Sequence, residues 1–416
     1  MLIDGAMYGG KCACGKEHAM ETRAAVIERG ALDQFEEYMS AYGPAGRRCA
    51  LYGGNSYEAA AGKRPKAEQE IILNPKGLHA DEKATAAVLS RMEPQTEILI
   101  AVGGGTIHDI ARFCACERGI AFVSVPTAAS VDGFCSKVAA MTWRGFKKTI
   151  PAAAPALVVA DTDIIKKAPA RLVKSGIGDI LAKYTALADW KISSLLTGEA
   201  LCPKIYDMVK AAADAAVAGV PGIIAGEGGA YENVMYALLL SGLAMQLHGS
   251  SRPASGAEHH ISHLIEEEPA MLKAAFPAMH GEKAGVGAVL AAAEYHRLAE
   301  VQDISALTGE YSPLPSEEIR RFFGGELAEA ILRENSADCL RAVSRRRLIE
   351  CWPEIRSMVA EIPSAEELSR ILEGLCAKRG PEDIGIAASR LPDLLDYSPF
   401  VRNRLTLMRL RRMIKV

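Results

Sequence analysis

The first part of the chain alternates short apolar runs with amphipathic stretches. Arg23–Glu28, Arg48–Tyr52, Glu70–Leu73, Glu97–Val102, Ala121–Val125 and Leu157–Ala160 are apolar runs of strand length, as buried strands require. Most are followed by a glycine-containing turn and then by apolar positions at helical spacing, as in Asp81–Met92 and Thr106–Glu117. Strand–helix alternation of this kind predicts a parallel sheet covered by helices. From about Pro169 the spacing changes. Ile177–Leu196, Pro203–Ala218, Tyr231–His248 and Gly281–Ala299 read as long Ala/Leu helices, and Pro363–Cys376 and Pro381–Leu391 continue the helical pattern. No strand is expected there, and the basic tail Arg402–Lys415 ends the chain. With no internal repeat visible, the pattern predicts an α/β N-terminal domain over residues 1–165, an all-helical C-terminal domain over 166–416, and a cleft between them.

Composition narrows this reading. A chain of 416 residues is long enough for two cores, and 6% aromatic residues argue against an all-β fold. A formal charge of −3 supplies no electrostatic reason for a nucleic acid or anionic membrane partner. No apolar run is expected to approach the roughly 18–20 residues that span a bilayer, and Met1–His18 lacks a signal-peptide core. The expectation is therefore a cytoplasmic protein with no nucleic acid and no membrane partner. Ten cysteines are too sparse for a disulfide scaffold. Cys12, Cys14 and His18 form a C-x-C-x3-H group. With no fourth ligand nearby in sequence, a structural or incidental role is expected over a metal site.

Two loops carry candidate cofactor chemistry. In Glu97–Arg112 a buried strand runs into Gly103, Gly104 and Gly105 and then a helix start. Glycines let the backbone approach a pyrophosphate, and the helix N-terminus offers N–H groups and partial positive charge. The turn is neither G-x-G-x-x-G nor a Walker A loop. Ser124–Gly133 also follows a strand, and its Thr127 and Ser130 hydroxyls suit ribose or phosphate oxygens. Two such loops after neighbouring strands would line the carboxyl edge of the sheet, where these folds bind ligands.

The histidines point to a metal. Six of the nine lie between residues 248 and 296. His259 and His263 are four apart and share a helix face, and His280 opens His280-Gly-Glu-Lys283. Packing of helices would bring His259 and His280 together with Asp179 as oxygen ligand. Two imidazoles and one carboxylate leave positions for substrate on Zn²⁺, or on Ni²⁺ or Fe²⁺, acting as a Lewis acid. Spacing leaves open which of His259, His260 and His263 binds the ion.

Together, Gly103–Asp109, Pro126–Ser136, Gly145–Thr149, Gly176–Trp190, Ser251–His263, His280–Gly287 and the tail Arg402–Thr406 resemble the sn-glycerol-1-phosphate dehydrogenase family. That family lies within the iron-containing alcohol dehydrogenase and dehydroquinate synthase-like superfamily. The string Ser251-Arg-Pro-Ala-Ser-Gly-Ala-Glu-His-His-Ile-Ser-His263 is the most specific piece. The resemblance implies a dehydroquinate synthase-like fold. In it Gly103, Gly104, Gly105, Thr106, Ile107, His108 and Asp109 cradle the pyrophosphate of NAD or NADP. Thr127, Ala128, Ala129 and Ser130 contact the ribose and nicotinamide side, and Ser136 lies beside the nicotinamide. Asp132 contacts substrate hydroxyls and His263 faces the substrate, both as catalytic residues. Asp179, His259 and His280 hold the metal. Lys147 and Lys183 are implied phosphate contacts, though either reads equally well as a solvated lysine.

The implied reaction interconverts dihydroxyacetone phosphate and sn-glycerol 1-phosphate by hydride transfer, in lipid biosynthesis, by a homo-oligomer (dimer or larger). Rivals are a glycerol dehydrogenase without a phosphate pocket, a dehydroquinate-synthase-like cyclase, and a nucleotide- and metal-binding regulatory module. One stretch departs from the family. Leu51-Tyr-Gly-Gly-Asn-Ser-Tyr57 has glycine where an aspartate usually accepts hydrogen bonds from the adenosine ribose. Without that charge a 2′-phosphate is not repelled, so strict NAD preference is not expected.

Overall fold

The computed structural model of the chain describes residues 1–143 and 146–415. Its strands are β1 (Leu2–Asp4), β2 (Gly10–Lys11), β3 (Glu17–His18), β4 (Ala24–Glu28), β5 (Arg48–Gly53), β6 (Gln69–Leu73), β7 (Ile98–Gly103), β8 (Ala121–Pro126), β9 (Val138–Trp143), β10 (Phe146–Pro151) and β11 (Leu157–Asp161). Seven form one sheet in the order β1-β4-β11-β8-β7-β5-β6. Every pairing is parallel except that of β1, which runs antiparallel to β4 at the edge.

All six strands expected from apolar runs are present, within two residues at each end. The runs are continuous because both faces of the sheet are covered. Cys49, Leu51, Leu99 and Ala101 point into one core, with Ile110, Ala111 and Cys114 of the helix Gly105–Arg118. Ala50, Tyr52, Ile98, Ile100 and Val102 point into the other. Burying one such Leu or Ile contributes about 1.5–3 kcal/mol. The hairpins β2–β3 and β9–β10 were not expected. They are ribbons outside the sheet, largely exposed along β2, and lack a continuous buried run.

The connections place the cofactor turn. β5 leads through the helix Gly54–Ala59 outward to β6, whereas β7 leads through Gly105–Arg118 the other way to β8. The strand order thus reverses between neighbouring β5 and β7, the position at which open α/β sheets bind ligands. Tyr52 is in register with Val102 and Gly103 with Pro126, so the turns after β5, β7 and β8 sit side by side.

Two compact units result. One comprises residues 1–177 and 214–250, the other 178–213 and 251–416. The helix Gly228–His248 belongs to the sheet-bearing unit, where Gln246 donates to the carbonyl of Cys135 at 2.7 Å and Ser241 to Asp132 at 2.9 Å. The expected helix Ile177–Leu196 is two, Ala170–Leu181 and Lys183–Thr197. Pro381–Leu391 is not a helix but two 3-10 turns, Glu382–Ile384 and Ala388–Arg390, separated by Gly385 at φ 81°. The helix Pro203–Ala225 also differs from expectation. At 23 residues and a mean hydropathy of 1.5 it is, by length and composition, apolar enough to cross a membrane; 44% of its apolar window is buried. Lys204, Asp207, Lys210 and Asp214 punctuate its first half.

Candidate metal centre and cofactor turn

In the second unit, glycines let three helices meet backbone to backbone. A Cβ on Gly178 would lie 2.4 Å from the carbonyl oxygen of Gly281, and one on Gly287 would lie 2.4 Å from that of Glu258. No side chain fits at either contact, so the stretch from Gly178 to Leu181 and the helices Ala257–Glu266 and His280–Ala299 approach closely enough to converge their polar residues. Ligand atoms of Asp179, His259 and His280 lie within 4.8 Å of one another. His259 Nε2 is 3.4 Å from Asp179 Oδ1, and the two imidazole centroids are 5.4 Å apart. Asp179 and His259 are buried and His280 is a third exposed, leaving one open side.

The surroundings fit a divalent cation. His259 Nδ1 is 2.8 Å from Glu258 Oε1, and His280 Nδ1 is 2.9 Å from Glu266 Oε1. Each carboxylate accepts a hydrogen bond from the Nδ1–H and so turns Nε2 inward, the arrangement that orients histidines on metals. Glu258 is fixed in turn by the Gly256 N–H at 2.6 Å and the Thr185 hydroxyl at 2.6 Å. Burial alone would push Asp179 up. The Lys183 ammonium at 2.9 Å and the two imidazoles nevertheless hold it well below the usual carboxylate range. The centre already gathers positive charge on Asp179. Burial and Lys183 would depress His259, yet its bonds to Asp179 and Glu258 raise it to about 9, so a metal entering here displaces a proton.

Of the clustered histidines, it is His259 that the structure brings to Asp179 and His280. His260 is fully buried, and neither of its ring nitrogens has a hydrogen-bond partner among the described residues. Burial pushes it well below the usual range, and it is not part of the cluster. His263 lies beside the cluster, its centroid 5.7 Å from His280 and its Nδ1 3.3 Å from Glu266 Oε2. Burial pushes it down to about 4, so it is neutral at pH 7. Lys183 is completely buried on Asp179. Its ammonium pairs with Asp179 at 2.9 Å, so it is not a solvated lysine.

In the first unit, the turn after β7 borders open space. A Cβ on Gly103 would lie 2.8 Å from Ile107 Cβ, whereas one on Gly104 would meet nothing within 4 Å. Gly103 therefore lets the helix pack, and Gly104 borders open space at a helix start that no side chain caps. Of the expected contacts, Thr106 is exposed and Asp109 is partly exposed beside Arg112. The side chains of Ile107 and His108 are in the core. His108 bonds the Gly104 carbonyl through Nδ1 at 2.9 Å and sits edge-on to Phe134; burial lowers it to about 3. Only the backbone of these two residues is available to a cofactor.

Thr127, Ala128, Ala129 and Ser130 are buried along the next loop, and the Thr127 N–H bonds the Gly103 carbonyl at 3.0 Å. The Ser136 hydroxyl is engaged with the Val138 backbone at 3.0 Å, and Asp132 is buried. Lys147 is exposed on the β9–β10 hairpin.

The reading by motif missed Arg112. It is fully buried, and its guanidinium donates to the carbonyls of Ser136 at 2.8 Å, Val138 at 3.2 Å and Gly133 at 2.5 Å. It thereby ties the cofactor helix to the loop bearing Asp132 and Ser136. A lone arginine in an apolar helix face was the available signal, since such a charge is buried only when paired or well hydrogen-bonded. Glu258 and Glu266 were missed as the groups that orient the ligands.

The chain is an NAD(P)-linked dehydrogenase, as the relatives named below are, and the model of the iron-containing alcohol dehydrogenase family matches its residues 26–169. The fold aligns with the crystal structure of maleylacetate reductase from Agrobacterium tumefaciens at a TM-score of 0.62 and 14% identity, covering 95% of each chain. Within that class, NAD(P)+-linked glycerol-1-phosphate dehydrogenase from Halalkalibacterium halodurans is 31% identical over 410 residues, which covers 96% of this chain and 94% of the relative. Its namesake from Geobacillus thermodenitrificans is 36% identical over 307 residues, covering 74% and 69%. The chain belongs to the glycerol-1-phosphate dehydrogenase family.

Proposed function

We propose that this protein reduces dihydroxyacetone phosphate to sn-glycerol 1-phosphate in the cytoplasm, reversibly, with NADH or NADPH and one divalent cation, zinc in the first instance. The observation that carries the reading is the Asp179–His259–His280 cluster with both histidines oriented through Nδ1 by carboxylates. A cation held there supplies Lewis-acid stabilisation of negative charge on a substrate oxygen. The chain's own residues do the rest. The backbone of Gly103–Gly105 and the Thr106 hydroxyl hold the pyrophosphate of the cofactor. Asp132, aligned by the Ser241 hydroxyl, accepts a hydrogen bond from a substrate hydroxyl. His263 bonds Glu266 through Nδ1 and offers Nε2 to carry a proton to or from the substrate. Lys147 is the remaining basic candidate for the phosphate, and Lys183 tunes Asp179.

The test is NAD(P)H oxidation with dihydroxyacetone phosphate and with dihydroxyacetone, followed by chiral analysis of the product. A phosphate held by charge-assisted bonds supplies roughly 3 kcal/mol or more, so kcat/KM with the phosphorylated ketone exceeds the other by at least about a hundredfold. Equal rates would indicate glycerol dehydrogenase chemistry instead.

A further inference from the structure

The N-terminal ribbon holds chemistry that the dehydrogenase reaction does not use. β2 and β3 pair through Gly10 with His18 and Lys11 with Glu17. The turn between them is closed by the Cys12 N–H on the Lys16 carbonyl at 2.9 Å and the Gly15 N–H on the Cys12 carbonyl at 3.0 Å, with Gly15 at φ 83°. This tight turn brings both thiols to the imidazole. The ligand atoms of Cys12, Cys14 and His18 lie within 4.8 Å of one another, and Cys14 Sγ is 3.3 Å from His18 Nε2. Zinc bonds of about 2.3 Å to sulfur and about 2.1 Å to nitrogen at a tetrahedral angle place those two atoms about 3.6 Å apart.

A second observation concerns the imidazole. His18 is buried, and its Nδ1 is 2.9 Å from the carbonyl oxygen of Leu247. A carbonyl only accepts, so Nδ1 carries the proton and Nε2 presents its lone pair to the thiols. A backbone carbonyl on the far nitrogen is how metal-binding histidines are commonly oriented. None of the ten cysteines forms a disulfide, so both thiols are reduced and able to bind as thiolates.

We propose that Cys12, Cys14 and His18 form a structural zinc site, separate from the Asp179–His259–His280 centre. Zinc in a structural site takes four ligands, and the ribbon supplies three of them. Binding releases the two thiol protons and pins the ribbon to the helix Gly228–His248, which carries Leu247. Spacing alone favoured an incidental role. The histidine tautomer and the gathered ligand atoms reverse that reading.

The test replaces zinc with Co²⁺ in the intact protein. The catalytic centre has only oxygen and nitrogen ligands, so sulfur-to-cobalt charge-transfer absorption in the near ultraviolet reports the ribbon alone. Wild type and His259→Ala should show the band, and the Cys12→Ser/Cys14→Ser variant should lose it. That variant should also hold one zinc fewer per chain by elemental analysis, keep its turnover at ambient temperature and unfold at a lower temperature. Should it fail to fold, titration of the wild type with an organomercurial reads the same site, because zinc leaves as the thiolates react. Cobalt protein without the band, a band that survives the double serine variant, or thiolate reaction without zinc release would each overturn the proposal. Loss of metal from His259→Ala with the band intact would leave both sites standing.

Discussion

Glu266 offers a direct probe of how the metal centre is oriented. Its Oε1 lies 2.9 Å from His280 Nδ1 and 2.8 Å from the Lys283 ammonium, and its Oε2 lies 3.3 Å from His263 Nδ1. Burial would raise this carboxyl, but His280, His263 and Lys283 hold it well below the usual range, so it is charged. Glu266→Gln keeps the shape and one acceptor. The carbonyl oxygen can serve His280 and Lys283, which leaves the amide N–H groups facing the N–H of His263. That neutral ring must then shift its proton from Nδ1 to Nε2. Loss of an orienting partner typically costs 10–100-fold in metal affinity, about 1.4–2.8 kcal/mol. Because Gln retains the hydrogen bond and loses only charge, we expect about tenfold for Glu266→Gln and about a hundredfold for Glu266→Ala. Competition with a chromogenic zinc chelator at fixed pH measures both. Wild-type affinity in the two variants would mean that His280 is not held through Nδ1, and the account of this centre would fail.

Two other perturbations address the ligands and the scaffold. His259→Ala and His280→Ala each remove one of three protein ligands, so bound metal and nearly all turnover should disappear while circular dichroism stays native; stoichiometric metal in either purified variant removes that residue from the centre. Arg112→Ala strips several loop carbonyls of their donor and should cost about 3–5 kcal/mol, seen as a lower denaturation midpoint. Arg112→Lys should fold but raise the KM for NAD(P)H, because one ammonium cannot span the carbonyls of Gly133, Ser136 and Val138; unchanged values in both variants would show that something else holds the loop.

The sheet was legible because each central strand is buried on both faces, so β5, β7, β8 and β11 appear as mainly apolar runs without strict alternation. The two ribbons were not, because short paired segments outside a sheet leave no such trace. At the metal centre, Asp179, His259 and His280 announced themselves by residue type. The choice between neighbouring His259 and His260 did not, since adjacent helix positions point in directions about 100° apart and only packing decides which faces inward. The burial of Lys183 was hidden for a related reason. A lysine one helical turn from an aspartate is usually a solvated pair, and its burial comes from segments far away in sequence. Charged residues that act through others, such as Arg112 and Glu266, carry no motif.

The turn after β5 offers a test of cofactor choice. Gly53 ends β5, one residue beyond Tyr52, which is in register with Val102, and is the N-cap of the helix Gly54–Ala59. A carboxylate here would accept hydrogen bonds from the ribose of NAD and repel the extra phosphate of NADP; glycine does neither. Wild type should therefore use NADPH within about one order of magnitude of NADH, a difference of no more than about 1.4 kcal/mol. Gly53 is buried, and its backbone and surroundings accept a Cβ. Its φ is −87°, and a Cβ would lie 3.4 Å from Ile107 Cδ1, an ordinary contact. The Cβ of Gly54→Asp would come within 3.1 Å of Pro75 Cδ, which makes it the poorer choice. Aspartate is also a favoured N-cap, better than glycine by a few tenths of a kcal/mol, so stability should hold or rise slightly. With the fold intact, repulsion acts only on the phosphorylated ribose. kcat/KM for NADPH should fall at least about tenfold while that for NADH is kept or improved. Parallel initial rates with both cofactors decide it. A wild-type preference for NADH above about a hundredfold, or an equal loss with both cofactors in Gly53→Asp, would show that another group reads the ribose and that this turn does not.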